Sequence, residues 1–298
     1  MTPVRELCEV LGRRRLGAYH ALTLVAPRIA EAAEPGQFVE LLAGEDRSFL
    51  LRRPFSIHRV ERPGPALGTI EVVFDVVGPG TRTLAGLRLH DLVDTLGPLG
   101  RPFTPPAAPA RCLLVGGGYG TAALFFLADE LRARRCQVDF VVGAATAERL
   151  FDAMEARRLG HTLTVTTDDG SAGQRGLVTD PLPALLGRLR VAHVFACGPM
   201  PMLAAVSRVA GQHGVPCQVA VEELMACGTG ICFSCVVPVG DPARPGEPAR
   251  MARSCLEGPV FDGAAIAWGE LGHPTASTGG LASSPPDPPG PAPREPAP

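Results

Sequence analysis

The apolar positions change period once along the chain, near residue 110. Before that point they come in short β-rich runs at 20–25, 37–42, 49–58 and 69–77, separated by Pro35-Gly36, Pro63-Gly64-Pro65 and Gly78-Pro79-Gly80. Short strands broken by frequent turn signals predict a small antiparallel barrel. A short helical run, 81–87, follows, and Leu96-Gly97-Pro98-Leu99-Gly100 reads either as a turn closing the barrel or as a plain connector.

Beyond residue 110 the pattern alternates. Strands are expected at 112–115, 138–142, 163–167, 192–196 and 218–221, with helices at 122–134, 147–158, 183–189 and 200–212 between them. Strands alternating with helices imply a parallel sheet covered on both faces. Past Gly272 the sequence holds too few large apolar residues to fold, so a disordered, Pro-rich tail is expected. The fold class is multidomain α/β plus β: an antiparallel barrel at 1–105, a parallel α/β nucleotide-binding domain at 106–221, a small cysteine-bearing domain at 222–270, and the tail at 271–298.

Composition narrows the function classes. The formal net charge is −2, all 28 basic residues are arginine, and no basic run stands out, so neither nucleic acid nor an anionic membrane is expected as a partner. The one long apolar stretch, 112–128, is broken by four glycines and reads as strand, loop and helix, not as a membrane span. Five of the nine cysteines, Cys8, Cys112, Cys136, Cys197 and Cys217, lie singly in apolar contexts. That usage suits a reducing, cytoplasmic protein rather than a disulfide framework. The N-terminus has charges without the apolar core of a signal peptide.

The other four cysteines carry the sharpest chemistry. Four residues separate Cys227 from Cys232, two separate Cys232 from Cys235, and Cys255 follows after nineteen more. This is the plant-type 2Fe-2S spacing. Gly228 and Gly230 let the loop bend around an inorganic core, since glycine enters positive-φ conformations at little steric cost. The rival, a structural zinc site, usually pairs its cysteines closely on both sides, and Cys255 has no near partner.

Five other stretches bear on ligands. Arg53-Pro54-Phe55-Ser56 offers a guanidinium for a pyrophosphate, an apolar face for a flat ring and a hydroxyl for its edge, although such strand ends also occur without a ligand. Gly78-Pro79-Gly80-Thr81 presents amides at a helix start to a phosphate, or is a plain turn. Gly116-Gly117-Gly118-Tyr119-Gly120-Thr121, between a strand and a helix, is a nucleotide-phosphate turn whose spacing differs from the dinucleotide fingerprint. Cys197-Gly198-Pro199 places a thiol at the carboxyl end of a strand, where such sheets bind ligands; the alternative is a buried cysteine before a helix. Asp168-Asp169-Gly170-Ser171 is a turn or a nicotinamide contact. Arg149 is the one candidate near the second strand for a ribose 2′-phosphate, which leans the reading toward NAD over NADP. The seven histidines form no cluster in sequence and read as structural or surface residues, and Trp268 reads as packing the chain end on the core.

Taken in order, RPFS, GGGYG, CGP and MACGTGICFSC with RSCLEGPVF, the chain resembles ferredoxin-reductase-like flavoproteins with a C-terminal 2Fe-2S domain, in particular the electron-transfer subunits of type B dihydroorotate dehydrogenase. The resemblance covers roughly 16–268. It implies FAD held by Arg53, Pro54, Phe55 and Ser56, by Phe74, Asp75 and Val76, and by Gly80 and Thr81. It implies NAD on the second domain, with Cys197 near the nicotinamide as the one catalytic candidate, and a cluster on Cys227, Cys232, Cys235 and Cys255. It further implies an FMN-containing dihydroorotate-oxidising catalytic subunit as partner, two of each in a heterotetramer, in pyrimidine biosynthesis. Three places depart from the pattern: Phe55 stands for the tyrosine common across the wider superfamily, Ala122-Ala123 for the prolines usual after the glycine loop, and 240–249 looks like an insertion before the last cysteine. A nicotinamide takes two electrons at once and a 2Fe-2S centre one, so a chain bearing both needs a flavin between them. Two rivals remain: an FAD/2Fe-2S subunit of a sulfide dehydrogenase or NADP-linked ferredoxin oxidoreductase, and a non-catalytic, zinc-bearing NAD-sensing module.

Overall fold

A computed structural model of the chain describes residues 2–44, 49–62, 64, 67–244 and 247–271. The expected Pro-rich tail lies outside the described residues, save Leu271.

Six strands close the N-terminal barrel: β1 (Val4–Leu16), β2 (Tyr19–Val25), β3 (Phe38–Leu41), β4 (Arg53–Glu61), β5 (Thr69–Phe74) and β6 (Leu92–Leu99), in the order β1-β2-β5-β4-β3-β6. Neighbouring strands all pair antiparallel. The barrel is the one the pattern predicts, with two differences. β1 was not expected, because its arginines and glutamates mask the alternation that buries Cys8 and Val10. The stretch 96–100 is neither turn nor connector over most of its length: 96–99 end β6, where Gly97 faces Val4 of β1 and Leu99 faces Phe38 of β3. Two short helices lie outside the barrel wall, α1 (Pro27–Ala32) and α2 (Pro79–Gly86).

The second region holds β7 (Arg111–Gly117), α3 (Ala122–Ala133), β8 (Gln137–Ala144), α4 (Ala153–Leu159), β9 (Thr162–Thr167), β10 (Gln174–Arg175), α5 (Leu182–Leu189), β11 (His193–Cys197), α6 (Met200–Gln212) and β12 (Cys217–Ala220). Its sheet runs β10-β9-β8-β7-β11-β12, parallel throughout. The cores show why both faces are covered. Leu124, Phe125 and Leu127 of α3 pack with Phe140 and Leu159 on the side that meets Tyr19 and Val73 of the barrel. Leu185 of α5 and Leu203 and Val206 of α6 pack with Val115 and Val219 on the other.

The single helix expected at 147–158 is instead a short 3-10 turn at Ala147–Arg149 followed by α4. Leu150 is extended, Phe151 is driven into the core, and the Asp152 carboxylate accepts the Glu155 amide at 3.1 Å, starting a new helix. That cap outweighs continuation.

The last region interlocks with both others. β13 (Val236–Val239) and β14 (Arg250–Arg253) form a hairpin connected by 240–249. After α7 (Ser254–Glu257), β15 (Val260–Asp262) adds an antiparallel edge to β12 of the parallel sheet. The Arg101 amide donates to the Gly258 carbonyl at 2.5 Å, tying the same segment to the end of the barrel. Trp268 packs on the core as expected, its Nε1 donating to the Gly263 carbonyl at 2.8 Å.

Candidate functional site

Three sides, built from segments far apart in sequence, wall one cavity of about 350 Å³. Arg53, Pro54, Phe55 and Ser56 of β4, with Phe74, Asp75 and Thr81, form the barrel side; Tyr119, Gly120, Ala122 and Ala123, with Cys197, form the sheet side. The third wall is 220–225, the lead into the cysteine loop. A largely apolar cavity with a few convergent polar groups is what a flat organic cofactor requires.

On the barrel side, Phe55 lies 5.2 Å from Phe74, centroid to centroid, giving an aromatic floor. Arg53 is held over the first turn of α2: a Cβ on Gly80 would come within 2.7 Å of its Nε, so only glycine leaves the guanidinium this position. Arg53 also sits 5.3 Å above the Phe49 ring, and its Nη1 donates to the Leu51 carbonyl at 2.5 Å. The Thr81 hydroxyl accepts the amides of Val77 (3.0 Å) and Gly78 (3.1 Å), fixing the turn ahead of the helix. Val76 and Gly80 stand behind this wall and do not line the cavity.

On the sheet side, two turns leave adjacent strands, since Cys197 of β11 is in register with Gly116 of β7. They pack backbone to backbone: a Cβ on Gly120 would meet the Gly198 Cα at 2.8 Å. Gly120 and Cys197 face the cavity. Gly116, Gly117, Gly118, Thr121, Gly198 and Pro199 do not line it; Gly116 is closed off by Thr121, and Gly117 by Pro199 and Met202. Burial, and then the nearby Glu222 carboxylate, push the Cys197 thiol up to about 12, so it stays protonated at physiological pH. Asp168 and Asp169 also lie away from the cavity, and Asp169 is bonded to Ser171 within its own turn.

Cross-region bonds set the walls relative to one another. His58, two residues past Ser56, reaches the Ala122 carbonyl with Nδ1 at 2.7 Å. Burial pulls its pKa down to about 4, so the ring is neutral. Its Nε2 is 3.4 Å from Glu71, whose carboxylate is already taken by Arg14 (2.7 and 3.1 Å) and Thr23. Arg149 pairs with Asp75 and the Tyr19 hydroxyl donates to the Arg149 carbonyl at 2.8 Å, while Tyr119 bonds Glu222. The arginine considered for a 2′-phosphate is thus committed to the barrel.

The four spaced cysteines sit on the loop and on α7. Among the described residues no three His, Cys, Asp or Glu side chains are set at the distances of a metal centre, but the four cysteines are neighbours: Cys227 interacts with Cys232, and Cys255 with Cys235 and Cys227. The surroundings fit a thiolate-bound cluster. The Ile231 amide donates to Cys227 Sγ at 3.3 Å. Burial works against the Cys227 thiolate, but the amides of Cys232, Thr229 and Ile231 outweigh it and bring the group down to about 6. Gly228 and Gly230 take φ of +62° and +82°, which turns these amides inward. Phe38 and Leu99 of the barrel pack with Cys235 and Cys255, so the loop rests on the barrel end.

Sequence reasoning did not find Tyr119 with Glu222, the wall at 220–225, or the buried Glu40 beside Gly228. The first two join residues about a hundred positions apart, and no local pattern marks them. Glu40 does carry a signal, as the one acidic residue in the apolar run of β3.

A barrel and a parallel sheet sharing one cavity, with a cysteine loop at its rim, define a ferredoxin-reductase-like electron-transfer protein with an added iron-sulfur domain. A family model described as the iron-sulfur cluster binding domain of dihydroorotate dehydrogenase B matches residues 222–267. The electron transfer subunit of dihydroorotate dehydrogenase B (NAD(+)) from Desulforamulus reducens is 37% identical over 82% of this chain and 90% of its own length. That from Bacillus caldolyticus is 39% identical over 86% and 96%. The chain belongs to this family, the electron transfer subunits of dihydroorotate dehydrogenase B. Among solved structures, the NADH-dependent reduced ferredoxin-NADP oxidoreductase matches with a TM-score of 0.76 and 31% identity over 89% of this chain and 91% of that one. The ferredoxin reductase of carbazole 1,9a-dioxygenase shares the fold, with a TM-score of 0.61 and 21% identity over 72% of this chain and 68% of that one. Among the described residues no helix is long and apolar enough to cross a membrane.

Proposed function

We propose that this chain, in the cytoplasm, relays electrons from the FMN of a dihydroorotate-oxidising partner subunit through a 2Fe-2S cluster and FAD to NAD+, in the making of pyrimidines. The observation that carries the reading is the shared cavity, on which the barrel, the sheet and the lead into the cysteine loop all border. Residues 1–105 serve the flavin, 106–221 the nicotinamide nucleotide and 222–270 the cluster. When bound, the flavin converts between paired and single electrons.

Each side chain then has a task. Arg53 and the first turn of α2 hold the pyrophosphate, Phe55 and Phe74 the ring, and Ser56 its edge. The turns at Gly120 and Cys197 admit the nicotinamide, and the neutral Cys197 thiol packs beside it without taking a proton. Cys227, Cys232, Cys235 and Cys255 ligate the cluster. The partner docks over the cluster loop, where Leu224, Ile231 and Phe233 are exposed at 81%, 79% and 59%. Large apolar side chains gathered beside one redox loop are expected of a subunit contact. The assembly is a heterotetramer with two of each subunit.

A second reading keeps the cofactors and changes the donor, and the 31% identity to the ferredoxin-NADP oxidoreductase favours it. The test is dihydroorotate-dependent NAD+ reduction by the purified chain with and without the FMN-bearing subunit. Activity only with that subunit supports the first reading. Bound flavin and iron with no such activity transfers the case to the second.

A further inference from the structure

One buried carboxyl, that of Glu40, lies outside the cavity lining. Glu40 lies in the middle of β3, between the flavin-binding strand β4, where it faces Pro54, and β6, where it faces Leu96. It is 0% exposed, and neither carboxyl oxygen has a hydrogen-bond partner. A buried carboxyl without donors is a standing penalty to folding. The cationic neighbours are engaged elsewhere: Arg52 donates to the Asp94 carbonyl and carboxylate, each at 2.7 Å, and Arg53 to the Leu51 carbonyl. What presses on Glu40 is the cysteine loop. A Cβ built on Gly228 would stand 2.2 Å from Glu40 Oε1, so the loop backbone lies directly against the carboxyl.

We infer that Glu40 is the positioning residue of the cluster loop: the amides of Thr229 and Gly230 are turned to sulfurs, and when the loop closes on its cluster the Glu40 carboxyl takes the remaining amide of the turn, that of Gly228, seating the loop on β3. This deepens the proposed function and rests on its cluster reading. The same strand serves both centres, because Phe38 lines the flavin cavity and packs with Cys235 and Cys255. Glycine at 228 is then required twice, for its φ of +62° and for the space that Glu40 occupies.

The test uses the full chain purified anaerobically. The readouts are the rate at which an iron chelator strips the cluster, the electron paramagnetic resonance spectrum of the reduced cluster, and FAD content as the reporter of the barrel. Glu40→Leu fills the space without acceptors and should lose the cluster about ten-fold faster with an altered spectrum and full FAD, as expected when a group supporting metal ligands is removed. Glu40→Gln, which keeps an acceptor oxygen, should restore most of the lifetime. Should Glu40→Leu also shed FAD, the loop-side pair decides. Gly228→Ala should shorten the lifetime with FAD intact, and adding Glu40→Asp should lengthen it again by withdrawing the clashing oxygen. Wild-type lifetime and spectrum in Glu40→Leu, or no compensation by Glu40→Asp, overturns the assignment. Wild-type protein without iron overturns the cluster reading itself.

Discussion

The shared cavity and the cysteine loop are built in opposite ways. The cavity is assembled from β4, the turn after β7, the end of β11 and residues 220–225, and every wall is braced by a contact from another region: His58 to Ala122, Arg149 to Asp75, Tyr119 to Glu222. The loop is local. Its three closely spaced cysteines fall within nine residues, its amides turn toward its own sulfurs, and its outer face is exposed. A site of the first kind exists only when the tertiary fold is complete, whereas one of the second kind is completed by its ligand.

The comparison can be broken at either end. The largest effect belongs to the loop. Cys232→Ser or Cys255→Ala should lower iron content and partner-dependent NAD+ reduction by about 100-fold or more, while FAD content and NADH oxidation by a small dye stay near wild type. If dye reduction falls equally, the two sites are not separable as described. Next comes the cavity. Arg53→Ala removes a charged contact expected to stabilise bound pyrophosphate by about 2–3 kcal/mol, so FAD affinity should drop by about 30- to 150-fold in a flavin titration, with the cysteine loop still taking up iron.

A smaller effect tests the bracing. The neutral state of His58 lies at a folded value of about 4 against an ordinary 6.5. The stability tied to that shift is fully present above about 6.5 and is lost as pH falls toward 4. Its upper size is about 3 kcal/mol. Thermal unfolding of wild type and His58→Gln across this window should converge on acidification, because the variant lacks the titration; parallel curves would mean that His58 is not held neutral. The smallest effect concerns the nucleotide. With Arg149 committed to Asp75, Arg149→Ala should leave the preference between NADH and NADPH within about two-fold, a change of under ~0.5 kcal/mol. A large swing would place this arginine at the ribose instead.

The same contrast explains what the sequence made legible. The cysteine spacing is a local constraint, so four residues named the chemistry before any fold was known. RPFS and the glycine turn were legible as short strings in strand-end contexts. An antiparallel barrel, though not its first and last strands, and the parallel sheet followed from periodicity, which reports on which side of an element is buried. Where charge overrode the pattern, as in Arg13-Arg14-Arg15 on β1, the strand went unseen. Elements set by partners distant in sequence were equally hidden: β15 is a strand because β12 offers it an edge, and the 147–158 helix breaks because Phe151 has a core to enter. Phe55 and Ala122-Ala123 lie in the cavity wall, one aromatic ring and two small side chains.

The central claim is that one polypeptide wires a single-electron centre to a pyridine nucleotide through the shared cavity. It is tested most directly by mixing the anaerobic, fully loaded chain with NADH and following flavin absorbance and the cluster's electron paramagnetic resonance signal together. The account predicts that flavin bleaching is followed by a reduced-cluster signal from the same chain, abolished in Cys232→Ser. Flavin that bleaches while the cluster stays oxidised, or a loop that holds zinc and gives no signal, would contradict it.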